Sequence, residues 1–325
     1  MFQNKIKLPV DGFILSLFLA ITVAFLFPTG AALLHVKQVT NIGIACIFFF
    51  YGLKLSFEEI KSGLKNYKLH VLIQITTFLI FPIVVLLFKP IISSLVGTEF
   101  WIGLFFLAAL PSTVSSSVVM VSLAKGNVPS AIFNASISGI IGVFVTPIWI
   151  SLFVATTGGM SLSDVFLKLL LQIVAPLTIG VVLNKRIGFY AKKNSKRIAF
   201  FDKAVIVLIV YTSFCTSILE DVFAGVSLFG LVSLFLIIVL LFSLLMGFVY
   251  LLSALLGFSV ADKITATFCG SKKSLVHGSA MLKIIFLNNS SAGLYLLPVM
   301  VYHITQLIIL AFVANRLGNR NVGVF

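Results

Sequence analysis

Two adjacent lysines, Lys272 and Lys273, stand inside a long apolar stretch that runs from residue 260 to residue 286. A cation at the centre of a bilayer-spanning helix costs about 2.5–3.5 kcal/mol to insert. Such an ammonium needs backbone carbonyls, the C-terminal end of a half-helix or an anionic ligand beside it. The run around the lysines, F-C-G-S-K-K-S-L-V-H-G over Phe268–Gly278, adds Gly270, Ser271, Ser274 and His277. A second polar run, P-S-T-V-S-S-S, supplies Pro111, Ser112, Thr113, Ser115, Ser116 and Ser117. Hydroxyls, amides and ammonium groups of this kind bind and release ions or small polar groups. They do not build a catalytic nucleophile, because no serine has an acidic partner at depth. HExxH, paired-Asp and CxxC motifs are also missing from the chain. The expectation is a binding protein and not an enzyme.

Both runs must interrupt a helix. Pro111 has no N–H and clashes with the carbonyl four residues before it, while Gly270 lifts the steric bar to non-helical backbone. Loosened backbone at mid-membrane is tolerated only inside protein or along a wet cavity. A pair of interrupted helices at corresponding places in two halves of a chain is a sequence-level pointer to a transport site. Gln74, Asn134, Ser138, His303 and Gln306 lie in other apolar segments. With the two breaks they are expected to line one substrate or ion cavity.

The elements that position these residues belong in lipid. The chain has 325 residues, 60% of them hydrophobic and 10% charged, with a mean hydropathy of +1.19. A soluble domain carries roughly 25% charged residues, so soluble enzymes, nucleic-acid readers and secreted disulfide scaffolds are excluded. Cys46, Cys215 and Cys269 are scattered through apolar segments and read as packing residues, without disulfide or zinc spacing. Long continuous apolar runs such as Val226–Leu256 predict spanning helices, since a barrel strand alternates. Ten such segments fall at 10–27, 40–56, 67–89, 100–124, 128–154, 162–184, 199–219, 226–256, 260–286 and 290–314. The first, behind Lys5 and Lys7, has the look of a signal peptide, but charge parity retains it as a span.

Charge fixes the expected orientation. With the N-terminus in the cytoplasm, most of the 23 Lys and Arg residues fall inside, among them Lys54, Lys61, Lys65, Lys125, Lys263, Arg316 and Arg320. Lys37, Lys89, Lys168 and Lys283 fall near the outer ends. Both termini are therefore expected in the cytoplasm. The basic segment 185–203 reads as the main cytoplasmic loop, contacting anionic membrane lipid and not nucleic acid. All nine acids sit near segment ends, so no buried carboxylate is left for a proton pump or cation antiporter. Ten segments divide into repeats at 1–157 and 158–325, the second inverted relative to the first because each holds an odd number of spans.

L-P-S-T-V-S-S-S (Leu110–Ser117), L-A-K-G-N (Leu123–Asn127), F-D-K-A (Phe201–Ala204) and F-C-G-S-K-K-S-L (Phe268–Leu275) resemble motifs of the bile acid:sodium symporter superfamily. The likeness is to its SBF-like branch, which includes the seventh member of human solute carrier family 10. The resemblance implies an all-α polytopic membrane protein with ten transmembrane helices in two inverted five-helix repeats. Helices 1, 2, 6 and 7 would form a panel, and helices 3–5 and 8–10 a core in which broken helices 4 and 9 cross. An organic anion would bind between panel and core, with two sodium ions behind the crossing. The chain departs from the sodium-coupled pattern in helix 9: an acid is missing, and Lys272-Lys273 replace a Gln-Asn pair. In helix 4, Ser117-Val118 replace a Ser-Asn pair.

The resulting expectation is a secondary-active carrier of a small or amphipathic organic anion across the bacterial inner membrane, working by alternating access. A lysine ammonium, Lys272 in preference, would occupy the space of a sodium ion and pin the crossing. The carrier would then be sodium-independent, or coupled through that lysine's protonation. Ser115, Ser116, Ser117 and Asn134 remain as the oxygen ligands of a residual Na⁺ site, and no other cofactor is implied. Two other readings stay open: a non-transporting regulator of ion (calcium) homeostasis or envelope synthesis, and an anion channel or exchanger.

Overall fold

A computed structural model describes residues 12–33, 36–55, 66–113, 115–154, 167–287 and 289–319, and all regular structure among them is helical. In chain order the elements are α1 (Gly12–Leu26), α2 (Gly30–Leu33), α3 (Val36–Lys54), α4 (Tyr67–Leu87), α5 (Lys89–Val96), α6 (Thr98–Ala109) and α7 (Ser115–Leu123). They continue with α8 (Val128–Phe153), α9 (Leu167–Lys193), α10 (Ser195–Leu219), α11 (Leu228–Leu255), α12 (Val260–Gly270), α13 (Leu275–Ile285) and α14 (Ala292–Gly318). Six of these, α4, α8, α9, α10, α11 and α14, are long and apolar enough to cross a membrane. The sequence readings at Lys5, Lys7, Lys61, Lys65, Arg320, four of the nine acids (Asp11, Glu58, Glu59 and Asp164) and the 157/158 repeat boundary lie outside the described residues.

Local chemistry sets the element ends. Asn127, Ser227, Ser259 and Ser274 precede α8, α11, α12 and α13, and each side chain accepts an N–H from the first turn that follows. Pro82 and Pro176 act inside long helices. Each lacks the N–H that a regular turn requires, and each is preceded by one π-helical turn, Thr76–Ile80 in α4 and Leu170–Val174 in α9. The wider turn absorbs the proline without ending the helix.

The basic segment 185–203 is not the expected loop. α9 runs to Lys193 and α10 starts at Ser195, so only Asn194 separates them. Lys and Arg are good helix formers, and Lys192 and Lys193 in the last turn of α9 complement its carbonyl end. A run that is too polar for lipid is thus not too polar for helix.

Two sets of helices pack among themselves. α3 lies along α9, α1 along α10, and α10 also contacts α3. The second set joins α6 to α14, α11 to α12, α4 to α12, and α8 to both α6 and α7, with α10 touching α13 and α14 between the sets. The α3–α9 crossing depends on two facing glycines. A Cβ on Gly52 would lie 2.2 Å from the Leu177 carbonyl oxygen, and one on Gly180 would lie 2.2 Å from that of Phe49. Outward faces are apolar, as on α11 with Leu236, Leu240, Leu244 and Leu251 exposed. Such area suits hydrocarbon and not water.

Candidate functional site

The two breaks meet. α6 ends at Ala109 and α7 begins at Ser115; α12 ends at Gly270 and α13 begins at Leu275. The end of a helix leaves its last carbonyls without intrahelical partners, and here they are satisfied across the chain. The Ala108 and Leu110 carbonyls accept from the Lys273 ammonium at 2.6 and 2.8 Å. The Ala109 carbonyl accepts from the Thr146 hydroxyl at 2.7 Å, and that of Pro111 from the Ser274 N–H at 2.9 Å. In return, the Ser112 hydroxyl donates to the Cys269 carbonyl at 2.7 Å. Tyr302 donates its phenol to the Ser271 carbonyl.

Lys273 also donates to the Thr77 carbonyl at 2.7 Å. Thr77 lies in the π turn of α4, where the backbone ladder is displaced by Pro82. The ammonium therefore uses all three of its N–H bonds on carbonyls, and the Phe81 ring covers it with its centroid 4.6 Å away. Lys273 is 1% exposed and Lys272 is fully buried. Lys272 has different company, its ammonium donating to the Ser116 hydroxyl at 2.9 Å. The sequence expectation put Lys272, in preference to Lys273, at the crossing. Both turn inward because residues 271–274 are not helical, so the 100° step between helical neighbours does not apply.

Two side chains clamp the breaks from neighbouring helices. Ser138 of α8 accepts the Ser112 N–H at 2.9 Å. Gln306 of α14 accepts the Lys273 N–H and donates to the Lys273 carbonyl, both at 2.9 Å. Gln306→Leu orphans both backbone groups in a buried place, and is expected to destabilise the protein by about 2 kcal/mol. A melting temperature equal to that of the unmodified protein would show that the clamp contributes nothing.

The remaining expected residues form adjoining groups. Thr113 shares its hydroxyl with Ser116 at 3.0 Å and Ser117 at 2.8 Å, at the start of α7. Gln74 donates to the Asn134 side-chain oxygen at 3.1 Å, and the Asn134 amide contacts His70 Nδ1 and the Ser130 carbonyl. His303 Nδ1 lies 3.1 Å from the Gln306 amide nitrogen, with Phe13 edge-on to its ring. His277 Nδ1 is 2.9 Å from the Ser274 hydroxyl, its ring meets Phe48 and Tyr51 edge-on, and its buried Nε2 has no hydrogen-bond partner. Of the four oxygens expected at a residual Na⁺ site, Ser116 receives Lys272, Ser117 pairs with Thr113, and Asn134 is engaged by Gln74. The Ser115 side chain lies outside the described residues.

Sequence reasoning missed His70, Thr77, Thr146 and Tyr302. His70 precedes Gln74 by one turn on the same helix face, which is a usable signal. Carbonyl acceptors leave none, since every residue carries one.

Residues 11–319 match the model of the SBF-like CPA transporter family. Protein PA2026 of Pseudomonas aeruginosa is 38% identical over 313 residues, which is 95% of this chain and 93% of that one. The candidate symporter YfeH of Escherichia coli is 34% identical over 94% of this chain and 92% of its own. Sodium/bile acid cotransporter 7-A of Xenopus laevis is 31% identical over 93% and 90%. The match spans the helices that carry both breaks, the clamps and the two buried lysines, and the chain belongs to the SBF-like CPA transporter family.

Proposed function

We propose that the protein is a secondary-active carrier of a small or amphipathic organic anion, embedded in the bacterial inner membrane with both termini cytoplasmic. It works by alternating access between a panel (α1, α3, α9, α10) and a core made of α4, α8, α11, α14 and the broken pairs α6–α7 and α12–α13. The reading has ten spans, with α6–α7 and α12–α13 each counting as one broken span, and two inverted repeats, 1–157 and 158–325. Three observations support it. α3 packs on α9 and α1 on α10, the two contacts that a two-fold swapping the repeats would exchange. Ser112 and Ser274 reach the opposite break reciprocally. Ser138 and Gln306 make equivalent clamps.

The observation that carries the functional reading is the Lys273 ammonium, held by three carbonyls from α4 and the first break. In this reading it stands where the sodium-coupled pattern has a cation, and Lys272 adds a second positive charge among hydroxyls. Half-helix N-termini at α7 and α13 add positive dipole ends, so the crossing favours anions and repels Na⁺. The carrier is then sodium-independent, or coupled to protons through these lysines.

The test is a melting curve of purified protein titrated with NaCl against choline chloride at constant ionic strength. A ligand at 100 times its dissociation constant stabilises by about 2.7 kcal/mol. The expected result is no difference between the two salts. A saturable rise with Na⁺ alone would restore the sodium-symporter reading. Saturable anion counterflow in proteoliposomes then separates a carrier from a regulator, and flux without competition would identify a channel.

A further inference from the structure

One groove lies away from the crossing, where the C-terminal turns of α11 and α14 flank the N-terminal half of α12. Its volume is about 360 Å³, and Met246, Tyr250, Lys263, Ile264, Phe268 and Leu317 line it. The wall is apolar apart from the Tyr250 phenol, the Thr267 hydroxyl and the Lys263 ammonium. Thr267 turns its hydroxyl back to the Lys263 carbonyl, which leaves Lys263 as the charged group at the mouth. Its ammonium has no partner among the described residues. The neighbouring Asp262 directs its carboxylate oxygens to other partners, one accepting from Asn127 and the other from Ser259. Arg316, one turn beyond the lining residue Val313, adds a second exposed cation on the same face of α14.

What covers the groove follows from its surroundings. It is continuous with the exposed apolar faces of α11 and α14, where Leu244, Phe248, Leu251, Ile308 and Phe312 point outward. In a bilayer such faces are covered by acyl chains. A groove that is lined by Lys263 and the exposed Tyr250, with Arg316 one turn beyond its lining residue Val313, fits one acyl chain and an acidic headgroup. We propose that the α11–α12–α14 groove is a specific site for an anionic phospholipid, with the chain in the apolar trough and the phosphate at Lys263 and Arg316. The site adjoins the transport machinery through one helix: Thr267 accepts the Ser271 hydroxyl at its carbonyl, and Ser271 opens the second break. A lipid seated there braces α12 up to the residues that present Lys272 and Lys273.

Native mass spectrometry of the full chain in detergent tests this, with equimolar dioleoylphosphatidylglycerol and dioleoylphosphatidylcholine added. The expected result is one retained lipid per chain with phosphatidylglycerol favoured about thirtyfold, the factor that two basic contacts supply. Lys263→Gln combined with Arg316→Gln should bring the ratio to about one. Lys89→Gln, an exposed cation at the start of α5, should leave it unchanged. Val313→Trp, which fills the trough and keeps both cations, should remove the retained lipid. Equal retention of the two lipids by the unmodified protein overturns the proposal. So does a phosphatidylglycerol preference that survives in the double variant, which would place the acidic headgroup elsewhere.

Discussion

Lys273→Met is expected to lower the stability of the folded protein by about 3–5 kcal/mol, while Lys272→Met changes it by less than about 1 kcal/mol. The two substitutions remove the same charge from neighbouring buried positions, so the difference lies in what is left behind. Without Lys273 the carbonyls of Thr77, Ala108 and Leu110 lose their donor, and each buried orphan costs about 1–3 kcal/mol before relaxation. Without Lys272, Ser116 keeps its contact with Thr113, and methionine fills much of the vacated volume. The measurement is thermal unfolding followed by tryptophan fluorescence. The chain has two tryptophans, Trp101 and Trp149, and the second donates to the Phe78 carbonyl beside Thr77. Equal melting temperatures for the two variants would mean that Lys273 does not pin the crossing. In transport the order should reverse, with Lys272→Met folded and defective in anion binding.

The facing glycines of the α3–α9 contact carry the second large expectation. Gly180→Ala places a methyl 2.2 Å from the Phe49 carbonyl oxygen and 2.9 Å from the Leu53 nitrogen. Both are backbone atoms and cannot rotate away, so the helices must part. The cost is expected to be about 3 kcal/mol, at the upper end for overpacking. Gly247→Ala in α11 is the matched control. Nothing lies within 4 Å of the added methyl there, and replacing a mid-helix glycine gains up to about 1 kcal/mol. The two alanines should therefore shift the melting temperature in opposite directions. A Gly180→Ala protein as stable as the parent would show that this contact yields easily.

Much of the site was legible because its signals are local. Pro111 and Gly270 break helices through their own covalent structure, and a lysine pair inside an apolar run is conspicuous at once. Ser138 and Gln306 were identifiable as polar side chains with nowhere else to bond. The different tasks of Lys272 and Lys273 were not legible, since they follow from the backbone path through 271–274, which no periodicity describes. Pro82 announces a distortion in α4 without saying whether the helix kinks or widens; it widens at Thr76–Ile80, and that turn carries the Thr77 carbonyl. The helical course of 185–203 was misread because hydropathy reports on lipid and not on backbone conformation. That the apolar segments would be helical followed from the need to satisfy backbone groups in hydrocarbon.

The crossing also imposes an order of events on synthesis. Ala108 and Leu110 wait for a donor that the ribosome adds more than 160 residues later, and neither α6 nor α12 alone is long enough to span hydrocarbon. The newly made first half must therefore rest in the membrane with raw carbonyl ends, shielded by water, lipid headgroups or insertion machinery, until residue 273 emerges. The crossing is therefore a late closure, possible only once residue 273 has been added to the chain.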